Sequence, residues 1–92
     1  MNENPATTAR IRQYIVDNFL YMRPDFQFTD DDFLMGKGVI DSLGVMELIG
    51  FIEEAFYVSV ADDDVTEANL GSISAIARYL ERRQADASAP HA

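Results

Sequence analysis

The sequence predicts a small all-α bundle of three long helices and one short helix. Three observations carry this. Apolar residues recur at spacings of three and four in three separate windows, and no window alternates convincingly at period two. The chain has 92 residues, 48% of them hydrophobic, enough for one core and no more. A chain of that size buries only roughly 60–65% of its unfolded surface, so no deep cavity is expected.

The first helix is expected at 7–22, after a flexible N-terminus at 1–6. Ile11, Ile15, Asn18, Phe19 and Met22 make its stripe, with Arg10, Arg12, Gln13 and Asp17 elsewhere. Thr7 or Thr8 is the expected N-cap, and Pro24 ends the helix. The segment Pro24–Asp41 is long for a connection. Yet Phe26, Phe28, Phe33, Leu34, Val39 and Ile40 are too apolar to float free. A packed loop is expected, with a turn of helix around Asp30–Leu34 that Thr29 caps toward Asp32, and with Gly36 and Gly38 breaking the chain.

The second helix, at 43–56, carries Leu48, Ile52, Ala55 and Phe56 on one face, widened by Leu43, Val45, Met46, Ile49 and Phe51. Tyr57–Ala61 is a weak strand candidate. Val65–Leu70, with Thr66 before Glu67, reads as a short helix. The last helix, at about 73–84, turns Ile73, Ile76, Ala77 and Leu80 inward, with Ser72 as its cap. One domain at 7–84 results, followed by a disordered tail at 85–92.

Composition excludes whole classes of chemistry. Without cysteine there is no disulfide scaffold, thiolate zinc site, iron–sulfur cluster or cysteine nucleophile. Apolar runs of four or five residues fall far short of the ~20 needed to cross a bilayer. No basic segment followed by an apolar one opens the chain, so a cytoplasmic protein without membrane insertion is expected. The formal charge is −9, and its placement is more telling than its size. Between Lys37 and Arg78 lie Asp41, Glu47, Glu53, Glu54, Asp62, Asp63, Asp64 and Glu67, eight acids without one base. Such a field repels nucleic acid and favours basic protein partners.

The catalytic inventory is thin. The single histidine, His91, lies in the expected tail, where no triad can position it. The context Ile40-Asp41-Ser42-Leu43-Gly44 lacks the glycines of a nucleophile elbow. Neither Asp30–Asp32 nor Asp62–Asp64 continues with the spacing of a calcium loop, and Gly36-Lys37-Gly38 lacks that of a phosphate-binding loop. No metal site or catalytic residue is expected, and the chain is not read as an enzyme.

What remains is Gly38-Val39-Ile40-Asp41-Ser42-Leu43, directly ahead of the strongest helix. Taken alone, Asp41 or Ser42 simply caps that helix. Ser42 also ends a long loop, which presents its hydroxyl outward. It sits at a helix N-terminus, where N–H groups and the macrodipole favour an attached phosphate. The stretch without bases begins around it.

These residues resemble the acyl carrier protein family, including stand-alone carriers of the peptidyl and aminoacyl type. The resemblance runs through Glu47-Leu48, Ile52-Glu53-Glu54-Ala55-Phe56, Val60, the acidic turn Asp62–Asp64, Asn69-Leu70, Ser72-Ile73, Ile76-Ala77 and Tyr79-Leu80, about residues 7–83. It implies the family's four-helix bundle, with a long first loop and a short third helix. It also implies that a phosphopantetheinyl transferase esterifies Ser42 with 4′-phosphopantetheine, whose thiol supplies the sulfur that the chain lacks. Asp41 would help place the transferase's metal and coenzyme A, beside Leu43. Met46, Glu47, Glu53, Glu54, Asp62, Asp63 and Asp64 would form the docking face.

The implied protein is a monomeric carrier of acyl or aminoacyl thioesters in lipid or secondary-metabolite biosynthesis. An acyl- or aminoacyl-activating ligase would load it, and downstream acyl-transfer or synthase enzymes with basic surfaces would unload it. A fatty cargo would slip between the helices along Val45, Leu48, Ile49, Ile52, Phe56, Ile73, Ile76 and Leu80.

Several positions depart from the family pattern. Gly44 stands where fatty-acid carriers commonly place an acid. Gly50 interrupts the second helix, either to open space for an acyl chain or a partner side chain or to allow helix packing. Tyr57 and Val58 replace polar residues, and Val65–Leu70 is longer than in housekeeping fatty-acid carriers. A specialised carrier is therefore expected. The competing reading is an unmodified acidic helical adaptor for a basic protein, with Ser42 only a cap.

Overall fold

A computed structural model describes residues 5–88, and among them all regular structure is helical. The helices are α1 (Pro5–Phe19), α2 (Ser42–Phe56), α3 (Glu67–Leu70) and α4 (Ile73–Ser88), with a 3₁₀ turn at Asp62–Asp64 before α3. This is the expected bundle of three long helices and one short one. Helix α4 packs against both α1 and α3. The core is built from Ile11 and Ile15 of α1, Leu48, Ile52 and Phe56 of α2, and Ile73, Ile76 and Leu80 of α4.

Several boundaries differ from the sequence expectation. Helix α1, described from Pro5, already contains Thr7 and Thr8, so the helix extends N-terminal of the expected cap. Thr8 is therefore no cap, and its hydroxyl donates to the Pro5 carbonyl at 3.0 Å. The helix stops at Phe19, three residues early. Pro24 disfavours helical geometry at Arg23 and would block the Leu20 carbonyl, which accepts from the Arg23 N–H instead (2.9 Å). Leu20 then turns into the core, leaving Met22 at 79% exposure and Asn18 exposed rather than on the buried stripe.

Helix α4 runs to Ser88, into the segment expected to be a disordered tail. Ala85 and Ala87 are strong helix formers, and the first breaker is Pro90. His91 lies outside the described residues. Tyr57–Ala61 forms no strand. Val58 and Val60 pack on the core, but the Val60 N–H bonds the Glu53 carboxylate (2.9 Å), and the Ser59 carbonyl accepts from Arg83 (3.2 Å). Side-chain and helix groups thus satisfy this backbone, and no neighbouring strand is needed.

The long first loop is held by both α4 and α1, whose bonds converge on Asp30. The Leu34 N–H donates to the Gly71 carbonyl (2.8 Å), and the Ser74 N–H to the Asp30 carbonyl (2.9 Å), tying the loop to the start of α4. From α1, Arg12 bonds the Asp30 carboxylate (2.8 Å) and the Phe28 carbonyl (3.1 Å) while lying over the Phe28 ring. Leu34, Val39 and Ile40 are buried, so the loop is part of the core. The turn near Asp30 reverses the expected capping: the Asp32 carboxylate accepts from the Thr29 N–H (2.7 Å), which together with nearby Lys37 lowers its pKa. A tight turn then ends at Gly38, whose φ of 75° is one that glycine adopts without strain.

Caps follow the sequence more closely. Thr66 accepts from the Asn69 N–H (3.2 Å) and Ser72 from the Ala75 N–H (3.1 Å). Buried Tyr79 on α4 donates to the Asp64 carboxylate at 2.8 Å, fixing the 3₁₀ turn. Burial, and then Asp64, raises the Tyr79 pKa above its ordinary value of about 10. The neutral phenol therefore contributes stability fully below that ordinary value and loses it as pH rises through the raised one. Tyr79→Phe should cost about 1 kcal/mol at neutral pH and flatten the alkaline loss. Urea unfolding at neutral and alkaline pH checks both.

Candidate functional site

Asp41 and Ser42 divide the two tasks that sequence alone left open at the start of α2. Asp41 is the N-cap: its backbone is extended, and its carboxylate accepts from the Gly44 N–H at 2.8 Å. Ser42 is the first helical residue and is exposed, so its hydroxyl stands outside the cap. Both belong to an open depression lined also by Gly38, Val39 and Ile40 of the loop, Phe19 of α1, Met35 and Arg23. The helix end contributes unpaired N–H groups and a partial positive charge, which suit an attached phosphate. The hydroxyl is accessible and the depression has apolar walls and one cation, so these residues fit a phosphate-linked arm.

A second, apolar cleft of about 150 Å³ adjoins this depression, and Met35 and Ile40 line both. Phe33 and Leu34 of the loop, Val45 of α2, and Val65 and Leu70 around α3 complete its walls. The sequence reading put the interior among α2 and α4 residues and missed this opening. Phe33, Met35 and Val65 belong to irregular segments, where periodicity gives no facing.

The expected docking residues separate into two groups. Leu43 and Met46 are 70% and 60% exposed, one turn apart on α2, with Glu47 and Glu54 exposed beside them. Asp62 and Asp63 are also exposed. Glu53 and Asp64 are instead half-buried and spend their carboxylates on the Val60 N–H and the Tyr79 hydroxyl. Among the described residues, no three His, Cys, Asp or Glu side chains are placed to hold a metal. No helix of the described residues is long and apolar enough to cross a membrane.

The sequence profile of the phosphopantetheine attachment site matches residues 10–80. The chain belongs to the acyl carrier protein family. The same conclusion follows from similarity to an acyl carrier protein of Zymomonas mobilis, 32% identical over 79 residues, which span 86% of this chain and 96% of that protein. The family's prosthetic group is 4′-phosphopantetheine.

Two departures from the carrier pattern now have physical accounts. Gly44 is buried, and a Cβ there would stand 2.6 Å from Ile40 Cγ1 and 3.0 Å from Phe19 Cε1. An acid has no room at this position. Gly50, by contrast, faces open solvent on α2 with nothing within 4 Å, so it serves neither helix packing nor an internal channel. Gly50→Ala should therefore stabilise the carrier by up to about 1 kcal/mol. Thermal unfolding of the two proteins checks this, and a lower melting temperature for Gly50→Ala would contradict the placement.

Proposed function

We propose that this chain is a non-catalytic carrier that holds acyl intermediates as thioesters on a 4′-phosphopantetheine arm esterified to Ser42. The observation that carries this reading is the exposed Ser42 hydroxyl at the first position of α2, with Asp41 alone making the cap. A serine needed as a cap would be occupied, and this one is presented. The arm supplies a thiol to a chain with no cysteine. Ser42 anchors it, Asp41 holds the helix end that presents Ser42 and helps place the transferase's metal and coenzyme A, and Leu43 and Met46 give partners an apolar foothold.

The apolar cleft bears on cargo. Its volume of about 150 Å³ matches that of apolar cavities that take up benzene, which favours a short acyl tail over a long one without repacking. Thr66 and Glu67 supply the polar side chains of its lining among the described residues, and the other side chains there are apolar. Mapping tests the attachment residue directly. No lysine or arginine lies between Lys37 and Arg78, so trypsin releases Gly38–Arg78 intact. After incubation with coenzyme A and a broad-specificity phosphopantetheinyl transferase, this peptide should carry the added mass at Ser42. The added mass at any other residue would sink the assignment.

Docking rests on Met46, Glu47, Glu54, Asp62 and Asp63, the exposed members of the predicted set. The attraction of the four acids to a basic enzyme surface is screened as the Debye length falls from about 10 Å at 0.1 M ionic strength to about 3 Å at 1 M. The transferase KM for the carrier should rise several-fold across that range with kcat little changed. A KM indifferent to salt would remove the electrostatic part of the reading.

A further inference from the structure

The depression around Ser42 contains one cationic side chain, Arg23, and its position suits the phosphate that joins the arm to the protein. One guanidinium NH₂ donates to the Gly38 carbonyl at 2.8 Å, and the guanidinium lies 4.4 Å from the centroid of the Phe26 ring. Those two contacts hold the head group in place and use one of its five N–H donors. Arg23 is exposed, so the rest remain available to an anion at the mouth of the depression.

The need for a cation follows from the charge map. A phosphodiester on Ser42 places a negative charge one residue from the Asp41 carboxylate, at the start of a stretch with eight acids and no base. The helix N-terminus offsets part of that repulsion. Lys37, the nearest base in sequence, sits 3.8 Å from the Asp32 carboxylate and does not line the depression. Arg23 comes from beyond the end of α1, and only the fold brings it to Ser42. A guanidinium is also the side chain best matched to a phosphate's paired oxygens.

We propose that Arg23 is the phosphate-positioning residue of this carrier. Its guanidinium, braced by the Gly38 carbonyl and the Phe26 ring, pairs with the arm's phosphodiester and lays the root of the arm along Phe19, Met35 and Ile40. This rests on the assignment of Ser42 as the attachment residue. The pairing fixes the direction in which the arm leaves the protein, toward the apolar cleft that shares Met35 and Ile40 with the depression.

The test uses the full-length loaded carrier and ³¹P NMR of its phosphodiester, with intact mass confirming the load. In the wild type the resonance should move as salt is added, because screening weakens the pair. In Arg23→Gln it should start near the high-salt position and stay there, and in Arg23→Lys it should lie between. A purely structural Arg23, pinning the loop at Gly38, would lower the melting temperature of the unloaded Arg23→Gln protein and leave its ³¹P shift after loading at the wild-type position. That pattern overturns the proposal. The salt titration needs no variant, so a wild-type resonance that ignores salt overturns it too, even if Arg23→Gln fails to fold. A wild type that takes up no arm overturns both this proposal and the Ser42 assignment.

Discussion

Replacing Gly44 with aspartate is expected to destabilise the carrier by about 2–4 kcal/mol, although aspartate restores the acid commonly found there in fatty-acid carriers. The added Cβ would meet Ile40 Cγ1 at 2.6 Å, Phe19 Cε1 at 3.0 Å and the Asp41 carboxylate oxygen at 3.3 Å. Ile40 is itself buried, so it has little room to withdraw. The new carboxylate would also be desolvated beside the carboxylate that caps α2. Gly44→Ala separates the steric part from the charge. Alanine gains up to about 1 kcal/mol of helix propensity, against an overpacking cost of about 1–3 kcal/mol. A net loss is expected for alanine and a larger one for aspartate. Urea unfolding of the three proteins gives the order, and a Gly44→Asp protein as stable as the wild type would show that this helix end is not closely packed.

The second large effect is the separation of Asp41 from Ser42. Asp41→Ala removes the cap and should cost about 1 kcal/mol. Ser42→Ala leaves the cap in place and should change stability by less than about 0.5 kcal/mol, while abolishing attachment of the arm completely. An adaptor in which Ser42 is only a cap would show the reverse, a loss of stability on Ser42→Ala with no modification to lose. Asp41→Asn refines the comparison, because asparagine caps as well as aspartate. It should keep stability and slow loading by the transferase, since the charge that helps place metal and coenzyme A is gone. Loading at the wild-type rate would confine Asp41 to capping.

Much of this was legible in the sequence because helices announce themselves by period. Leu48, Ile52, Ile73, Ile76 and Leu80 point inward where spacing places them, and Thr66 and Ser72 cap where their residue types say they should. The family was legible as well, through Asp41-Ser42-Leu43 and the pattern downstream of it, and the match over residues 10–80 bears it out. What sequence could not order was set by tertiary contacts. Glu53 and Asp64 are acids like their neighbours, and only the packed structure spends them on Val60 and Tyr79. Gly44 reads as a missing charge until Phe19 and Ile40 are seen against it. The end of α1 was misplaced because Met22 continues the apolar stripe, while the chain turns to bury Leu20 instead. Arg23 gave no signal at all, since nothing local links it to Gly38 and the start of α2. Tyr57, in the left-handed region at φ 58° and 91% exposed, closes α2 where glycine or asparagine is usual, and nothing in the structure explains that choice.

The central claim, a carrier loaded at Ser42, stands or falls on one measurement: intact mass after incubation with coenzyme A and a broad-specificity phosphopantetheinyl transferase. The wild type is predicted to gain a single phosphopantetheine and Ser42→Ala none, both proteins being folded. An unmodified wild type, or an equal gain by Ser42→Ala, would contradict it.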